Sequence, residues 1–335
     1  MSTQTIAIVY GRVDPQAPPD EQDNLVQVDT VRAACGRLGH RTIDVPLSLD
    51  LGVSAAVLRS SAPALAFNLT ETIDGKARLI HLAPSLLDSL AIPYTGAPAE
   101  AIFLTSQKML AKRMLAAAGI DTPSWATAGE ALLRDPGFPP PYIVKSVWEH
   151  ASVGLEDSSV AADAGSLRTE IVRRAAREGE DGLFVEGFID GREFNIALLG
   201  GAVRGGPPQV LPAAEMQFVD YPADKPRVVG YRAKWIGDSF EAGSTVRRFT
   251  FPPEDGPLLA RMAEIARSCW QLFGLRGYAR VDFRVDGSGR PWVLEINANP
   301  CISPDAGFAA AAGRAGLGID EVVARIIADT GGGLR

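Results

Sequence analysis

Four polar residues near the C-terminal end of the chain have the types and spacing of a cation-binding site. Arg280 and Asp282 alternate along one apolar segment, and Glu295 and Asn297 alternate along the next. Successive side chains of a strand point to opposite faces, so each pair shares a face. Two buried carboxylates are costly unless they bind a cation or are paired. Their oxygens, with the Asn297 amide oxygen, therefore predict a magnesium site completed by phosphate and water.

The turn sequence at 286–289, Asp-Gly-Ser-Gly, separates the two apolar segments. Such a run is a strong hairpin signal, so YARVDFRV and PWVLEIN are predicted to pair as antiparallel strands. This pairing brings the four polar side chains to one face of the hairpin, among apolar neighbours. A surface hairpin with salt bridges is the alternative arrangement.

The first hundred residues alternate apolar strand-like segments with helical ones. This order indicates a parallel sheet covered on both faces, with ligand groups at the carboxyl ends of the strands. The predicted strands are Ile6–Tyr10, Arg41–Pro46 and Ala64–Leu69, and the predicted helices are Leu25–Leu38 and Leu79–Leu90.

The rest of the chain predicts helices, a strand that leads into a loop of small residues, and a second hairpin. The hairpin is expected to join LFVEGF to EFNIALL through a turn at Asp190-Gly191. The strand is Pro140–Val147, and the helices are Thr105–Ala118, capped by Thr105, then Arg168–Glu178, Leu258–Phe273 and Ile319–Asp329.

Composition excludes several functional classes. The 335 residues carry a net charge of −7, so no positive field favours nucleic acid or an anionic membrane. The apolar runs are too short to cross a bilayer, and the N-terminus has the pattern of a strand rather than a signal peptide. Three widely separated cysteines form neither a disulfide framework nor a zinc spacing. A cytoplasmic protein of two or three subdomains is expected.

Several segments resemble those of a known enzyme family in order and spacing. GYARVDFRVDGSGRPWVLEINANP resembles the metal-binding signature of ATP-grasp ligases, most closely that of D-alanine–D-alanine ligases. Upstream, PYTG with SQKMLAKRMLAAAGIDTPSW, IVK with HASVG, FVEGFIDGREFNIALLG and YRAKW are similar to other conserved segments of that family. The resemblance is strong over 93–300 and weak at the N-terminus.

The resemblance implies an α/β protein with the ATP-grasp fold, built from three parts. Residues 1–97 would form a Rossmann-like domain with a parallel sheet, and residues 98–182 a central ATP-grasp subdomain. Residues 183–335 would form the catalytic subdomain around an antiparallel sheet. A homodimer is implied by the same analogy.

The resemblance also implies roles at matching positions. ATP would bind with one or two Mg²⁺ ions, for which Mn²⁺ is an alternative, held by Asp282, Glu295 and Asn297. Arg280, Lys234 and Ser152 would act in catalysis, with Ser152 in a loop whose backbone N–H groups approach the phosphates. The expected nucleotide contacts are Lys108 and Lys145 at the phosphates or adenine, Glu186 and Ile189 beside the adenine, Glu193 at the ribose, and Lys234 at the transferring phosphate.

Departures from the family pattern concentrate where the amino-acid substrates would bind. GRVDPQAPPDEQDN stands in place of the glycine-rich N-terminal motif, and Cys301 follows the signature proline instead of glycine. The pattern indicates retained ATP chemistry with different small amino-acid or peptide substrates. The candidate substrate residues are Glu71, Arg78, His150, Trp235, Ser303 and Asp305, with Thr70, Lys76 and Trp148 as further candidates.

The predicted function is an ATP-dependent carboxylate–amine ligase that forms an amide through an acyl phosphate. A carboxylate has no good leaving group until the γ-phosphoryl group is transferred to it. Two alternatives stay open: an ATP-dependent small-molecule kinase, and a non-catalytic nucleotide-binding protein.

Overall fold

The N-terminal part is built around a three-stranded parallel sheet in the computed structural model, which describes residues 3–201 and 205–330. Strand β1 lies in the middle, with order β2-β1-β3, and both neighbours pair with it in parallel. The parallel pairing is what the alternating pattern predicts. The elements are β1 (Thr5–Gly11), α1 (Pro19–Arg37), β2 (Arg41–Leu47), α2 (Leu51–Ser61), β3 (Leu65–Asn68) and α3 (Leu82–Ser89).

Helix α1 begins six residues before the position predicted from the sequence. Pro19 occupies the first turn, where its missing N–H costs nothing, and Asp20 and Glu21 follow it. Both acids lie at the positive end of the helix dipole. The helix predicted from Leu25 therefore begins earlier than expected, and Asp23 belongs to it.

The single helix predicted over 105–118 is two helices, α4 (Ala99–Ser106) and α5 (Lys108–Ala117). Gln107 between them is extended, with φ −84° and ψ 91°, and its side chain accepts a hydrogen bond from the Leu110 amide. Thr105 was predicted as the cap but lies inside α4, where its hydroxyl donates to the Ala101 carbonyl. The prediction that Thr105 caps a helix is wrong, because the side chain that accepts a backbone hydrogen bond at the start of α5 is Gln107.

The central part contains a four-stranded antiparallel sheet with order β4-β7-β5-β6. Leu167 and Ile171 of its longer helix pack against Val144 and Val185 of the sheet. The elements are β4 (Trp125–Thr127), α6 (Ala128–Leu133), β5 (Tyr142–Ser146), β6 (Val160–Ala161), α7 (Ala164–Glu178) and β7 (Leu183–Gly187).

The third sheet has the order β11-β10-β8-β12-β13, with β9 paired to β8. Its strands are β8 (Arg192–Leu199), β9 (Gln209–Val210), β10 (Ala214–Phe218), β11 (Thr245–Arg248), β12 (Tyr278–Val285) and β13 (Pro291–Ala298). The helices of this part are α8 (Tyr231–Trp235), α9 (Phe240–Ser244), α10 (Gly256–Leu272), α11 (Gly307–Arg314) and α12 (Ile319–Ala328). No described helix is long and apolar enough to span a membrane.

The prediction of a hairpin that joins LFVEGF to EFNIALL is wrong. Strand β7 pairs with β4 and β5, whereas β8 pairs with β12 and β10 in a different sheet. Residues 188–191 carry the chain from one sheet to the other. Gly191 passes so close to β12 that a Cβ there would lie 2.0 Å from the Val285 carbonyl oxygen. The Asp190-Gly191 pair thus lies in a segment that connects two sheets. Because β7 pairs within the central sheet, the strand pairing favours a subdomain boundary after Gly187.

The hairpin predicted from β12 and β13 is confirmed. Its strands pair antiparallel, with Arg280 opposite Asn297 and Asp282 opposite Glu295. The register shifts after Asp282, so that Phe283 faces Val293. This bulge leaves Leu294 as an extra residue beside Glu295.

Candidate active site

A cavity of about 550 Å³ is lined by residues that follow the first sheet and by strands of the other two. All but four of the site residues expected from the sequence line this cavity. The exceptions are Lys76, Arg78, Trp148 and Ser303. Residues that are far apart in the sequence therefore face one cavity.

The four polar residues of the hairpin form one connected cluster. Arg280 donates to both oxygens of Asp282, at 2.7 and 2.8 Å. Asp282 also accepts from Asn195 at 2.7 Å and from Asn297 at 3.0 Å. The Asn297 amide lies 3.5 Å from Glu295 as well. The two carboxylates and the amide thus lie close enough together to share one ion.

The donor set of this cluster suits a hard cation. Asp282 and Glu295 supply carboxylate oxygens, and a flip of the Asn297 amide would present its oxygen beside them. No group of three or more acidic, histidine or cysteine side chains with metal-ligand geometry occurs in the described ranges. The candidate metal site therefore depends on Asn297 as the third protein ligand.

Positive groups surround Glu295. Burial alone raises the pKa of Glu295, but the positive charges of Lys108, Lys234 and Lys145 outweigh it and hold this pKa well below its usual range. The Lys108 ammonium lies 3.7 Å from the Glu295 carboxylate and donates to the Glu149 carbonyl. Burial lowers the pKa values of Lys108 and Lys234. Glu295 is thus ionised at neutral pH, as metal ligation requires.

Glu186, which lines the cavity, lies between two lysines. Lys145, on β5, is 3.0 Å from one carboxylate oxygen, and Lys112, on α5, is 2.7 Å from the other. Lys112 also donates to the Thr122 hydroxyl at 2.7 Å. Burial, only partly offset by Glu186, lowers the pKa of Lys112 to about 8. Sequence reasoning missed Lys112, whose helical position looks like that of any surface lysine.

The predicted ribose contact, Glu193, is held by an arginine. Arg284 lies 2.8 Å from the Glu193 carboxylate and is almost wholly buried. It also donates to the Gly191 carbonyl at 3.1 Å and to that of Arg227. Ile189, predicted beside the adenine, lies in the same crossing segment. Arg284 therefore fixes both the crossing segment and the acid expected at the ribose.

The small-residue loop and helix α8 close over the cavity together. The Ser152 hydroxyl donates to the Val229 carbonyl at 2.7 Å, and the Trp235 indole donates to the Ala151 carbonyl at 2.9 Å. On the other side, the Tyr231 hydroxyl donates to Asp20 of α1 at 2.7 Å. Lys234 of α8 lines the cavity. Helix α8 is thus anchored to the loop and to the N-terminal part.

His150 lies in the cavity wall as a neutral imidazole. Burial, followed by the charge of Lys108, lowers its pKa to about 3. Its Nε2 atom is buried and has no hydrogen-bond partner. The imidazole can therefore offer a ligand a hydrogen bond without adding charge.

An acidic wall forms the end of the cavity next to α1. Glu71 accepts from the Gln27 amide at 2.6 Å, and burial raises its pKa to about 7. Asp23 accepts from the Cys301 thiol at 3.0 Å and from the Ser303 hydroxyl at 2.9 Å. Ser303 is buried and does not line the cavity, but its hydroxyl is bonded to Asp23, which does.

The remaining candidate substrate residues are placed as follows. Trp235 and Asp305 line the cavity. Arg78 is exposed, and its guanidinium lies 6.0 Å from the Trp148 ring centroid, outside the cavity. The structure therefore does not bring Arg78 and Trp148 to the other site residues.

Comparisons with known proteins agree with this arrangement. The family model described as D-ala D-ala ligase C-terminus matches residues 127–328. The chain belongs to the D-alanine–D-alanine ligase family. It is an ATP-grasp ligase, a class that forms carbon–nitrogen bonds.

Individual relatives of this ligase are similar along most of their length. D-alanine–D-alanine ligase of Methylobacterium radiotolerans is 30% identical, covering 87% of this chain and 88% of its own. The D-alanine–D-alanine ligase of Moorella thermoacetica is 29% identical, covering 96% of this chain and 97% of its own. The ATP complex of the Bacillus anthracis ligase has the same fold, with a TM-score of 0.72, 20% identity and coverage of 98% and 97%.

Two residues that line the cavity of this ligase were not identified as site residues from the sequence. Leu294 lines the cavity because the bulge turns it to the same side as Glu295, against strict alternation. Arg247 lines it from β11, which lies between the predicted segments EFNIALL and Leu258–Phe273. Alternating faces along an assigned strand would have indicated Arg247, but the strand itself was not predicted.

Proposed function

We propose that this ligase uses ATP and Mg²⁺ to activate a carboxylate as an acyl phosphate and joins it to an amine, with substrates other than two D-alanine molecules. The observation that carries the proposal is the meeting of Asp282, Glu295 and Asn297 with three lysines in one cavity. Carboxylates for a divalent ion and ammonium groups for phosphates are the parts that phosphoryl transfer needs.

The chemistry follows from the leaving group. A carboxylate oxygen attacks the γ-phosphorus of ATP, a P–O bond to ADP breaks, and an acyl phosphate forms. The amine then attacks the acyl carbon, and phosphate leaves as the carbon–nitrogen bond forms and the amine loses a proton. The net products are an amide, ADP and phosphate.

The residues on the hairpin fit the ion that such a reaction uses. Asp282, Glu295 and Asn297 would hold it, because their oxygens lie together and Glu295 stays ionised. When bound, a divalent ion neutralises phosphate charge and orients the transferring group. A D-alanine–D-alanine ligase of the same fold has been described in complex with ATP, which supports the choice of nucleotide.

The cations of the cavity divide between the two ends of the nucleotide. Lys145, fixed by Glu186, would bind phosphate or the adenine side, with Glu186 and Ile189 beside the base. Lys108 and Lys234, next to Glu295, would bind the phosphates that transfer or leave. Arg280 would stabilise the oxyanion formed when the amine attacks. Each of these roles is a proposal drawn from position and charge.

The cover formed by α8 and the small-residue loop would protect the intermediate from water. An acyl phosphate is hydrolysed readily, so exclusion of water raises the yield of amide. The bonds from Trp235 to Ala151 and from Tyr231 to Asp20 hold this cover in place. Ser152 would act here through the loop backbone, since its hydroxyl is bonded to Val229.

The acidic wall supports a changed substrate. Glu71 and Asp23 form no salt bridge with any described residue, so a cationic group of the substrate could pair with them. The N-terminal segment that carries Asp23 is also the one that departs most from the family pattern. A homodimer stays a prediction.

The test is a screen for ADP release with D- and L-amino acids and short peptides, followed by mass spectrometry of the products. The proposal expects amide products that contain substrates other than two D-alanines. A phosphoester product would favour a kinase. Preferred formation of D-alanyl-D-alanine would refute the proposed change of substrate.

A further inference from the structure

One polar side chain of the cavity wall has a ring nitrogen without a partner. The Nε2 atom of His150 is buried and forms no hydrogen bond with any described residue. Nearby donors are occupied differently, since Arg280 donates to both oxygens of Asp282. Lys108 donates to a backbone carbonyl of the same loop. Because a buried polar atom without a hydrogen bond is costly, His150 is available to a group that a ligand brings.

The imidazole lies among the charged groups proposed for the reaction. After burial, four charged side chains act on its pKa: Lys108, Glu295, Arg280 and Lys234. All four line the cavity together with His150. The pKa of His150 is lowered to about 3, so the ring is neutral at neutral pH. A neutral hydrogen-bonding group thus lies beside the cations that would meet the phosphates.

The backbone on either side of His150 is held in place. The preceding carbonyl, that of Glu149, accepts from Lys108. The following carbonyl, that of Ala151, accepts from the Trp235 indole at 2.9 Å. The two residues after His150 have φ values of 58° and 62°, a left-handed conformation that residues with a Cβ seldom adopt. Such backbone strain persists only where the surroundings fix it, so this loop sets the position of the imidazole.

The reaction decides which ligand oxygen suits a neutral donor. Phosphate oxygens stay charged throughout, and lysines supply charge for them. The carboxyl oxygen that becomes the amide carbonyl is charged in the substrate, neutral in the acyl phosphate and charged again after the amine attacks. A cation would also stabilise the starting carboxylate, and only stabilisation that is greater in the transition state raises kcat. A positioned neutral N–H donor suits this oxygen better.

We propose that His150 is a catalytic residue whose neutral imidazole donates a hydrogen bond to the carboxyl oxygen that becomes the amide carbonyl. It stabilises the oxyanion formed when the amine attacks, in addition to Arg280. The proton stays on the imidazole throughout, so no bond to His150 forms or breaks. The inference rests on the proposed ligase function and adds a catalytic residue to it.

The experiment uses His150→Leu, which removes the N–H, and His150→Gln, whose side-chain amide is again a neutral donor. With a substrate pair from the screen, His150→Leu should lower kcat about 100- to 1,000-fold, the size expected for loss of one oxyanion donor. The KM for ATP should stay as in wild type. His150→Gln should keep at least about a tenth of the wild-type kcat.

The amide formed per ADP released gives a second measurement. This ratio should fall in His150→Leu, because attack by the amine slows more than phosphoryl transfer and leaves the acyl phosphate exposed to water for longer. A lowered kcat with the wild-type ratio would place the hydrogen bond on the phosphoryl group and overturn the assignment to the carboxyl oxygen.

His81→Leu is the matched control, since it makes the same change at a histidine that packs against Phe103 and does not line the cavity. His81→Leu should keep the wild-type kcat. A wild-type kcat in His150→Leu would overturn the His150 assignment while the ligase function stands. A kcat in His150→Gln as low as in His150→Leu would also overturn it, because a base rather than a neutral donor would then be needed. Wild type that forms no amide with any pair would overturn the ligase function and this inference with it.

Discussion

Asp282 and Glu295 face each other in register across β12 and β13, yet only Asp282 is bonded to an arginine. Glu295 has lysines around it instead, with Lys108 at 3.7 Å. Two carboxylates so close together repel each other, and here separate cations stabilise each one. A divalent ion between them would replace part of that stabilisation, which makes the pair the centre of the proposed chemistry.

Lys112 is expected to position Glu186 for the nucleotide. Lys112→Met removes one partner of a buried ion pair and should lower the free energy of unfolding by about 3 kcal/mol. The KM for ATP should also rise, because Glu186 loses its anchor. Urea denaturation and steady-state kinetics measure the two effects.

Arg113→Met is a suitable control for Lys112, because Arg113 is the next residue and is exposed. Arg113→Met should change neither the free energy of unfolding nor the KM for ATP. A double variant, Lys112→Met with Glu186→Gln, should lose less stability than the sum of the single changes. Strict additivity would show that the pair is not coupled.

Arg284 is expected to act on ATP binding through Glu193. Arg284→Met frees the Glu193 carboxylate and the crossing segment at 188–191. The KM for ATP should rise about tenfold, with a smaller change in kcat, as for a lost charged hydrogen bond. Arg290→Met, on the exposed end of the same hairpin, should leave the KM for ATP as it is. An unchanged KM in Arg284→Met argues against the positioning role.

Glu71 should make stability depend on pH. Burial raises the pKa of Glu71 from 4.5, its value in the unfolded chain, to about 7 in the folded protein. As pH rises, the unfolded chain therefore loses this proton before the folded protein does. The contribution of Glu71 to stability is thus full below pH 4.5 and is lost as pH rises through 7. Relative to Glu71→Gln, wild type should lose about 2 kcal/mol of unfolding free energy between roughly pH 5 and pH 8. If the unfolding free energy depends on pH in the same way in wild type and Glu71→Gln, the raised pKa of Glu71 is contradicted.

The Tyr231–Asp20 hydrogen bond should control the escape of the intermediate to water. Tyr231→Phe removes the only side-chain bond recorded between α8 and α1 in the described residues, worth about 1 kcal/mol. ADP release per amide formed should therefore increase several-fold. Parallel assays of ADP and amide measure this ratio, and a ratio of one in both proteins would show that the cover does not depend on Tyr231.

Local sequence pattern predicted the hairpin of β12 and β13 because alternation and turn chemistry agree there. The same reasoning failed at Asp190-Gly191, where a turn signal marks a crossing between two sheets. Alternation identifies a strand but not its partner, so pairing needs the tertiary fold. Leu294 was missed because a bulge breaks the alternation.

Charge partners were beyond the reach of the sequence for a related reason. The ion pairs of Lys112 with Glu186 and of Arg284 with Glu193 join residues far apart along the chain. The resemblance placed Glu186 and Glu193 at the nucleotide but supplied no partner for either.

The most direct test of the account is ADP release by wild type and by Asp282→Asn/Glu295→Gln across a magnesium titration, with an amine and a carboxylate substrate from the screen. Both substitutions keep the shape and remove the charge that would hold the ion. We expect a fall of at least about 1,000-fold with an unchanged circular dichroism spectrum, since the ion and its charge stabilisation are lost together. A double variant with the wild-type rate and the wild-type dependence on magnesium would contradict it.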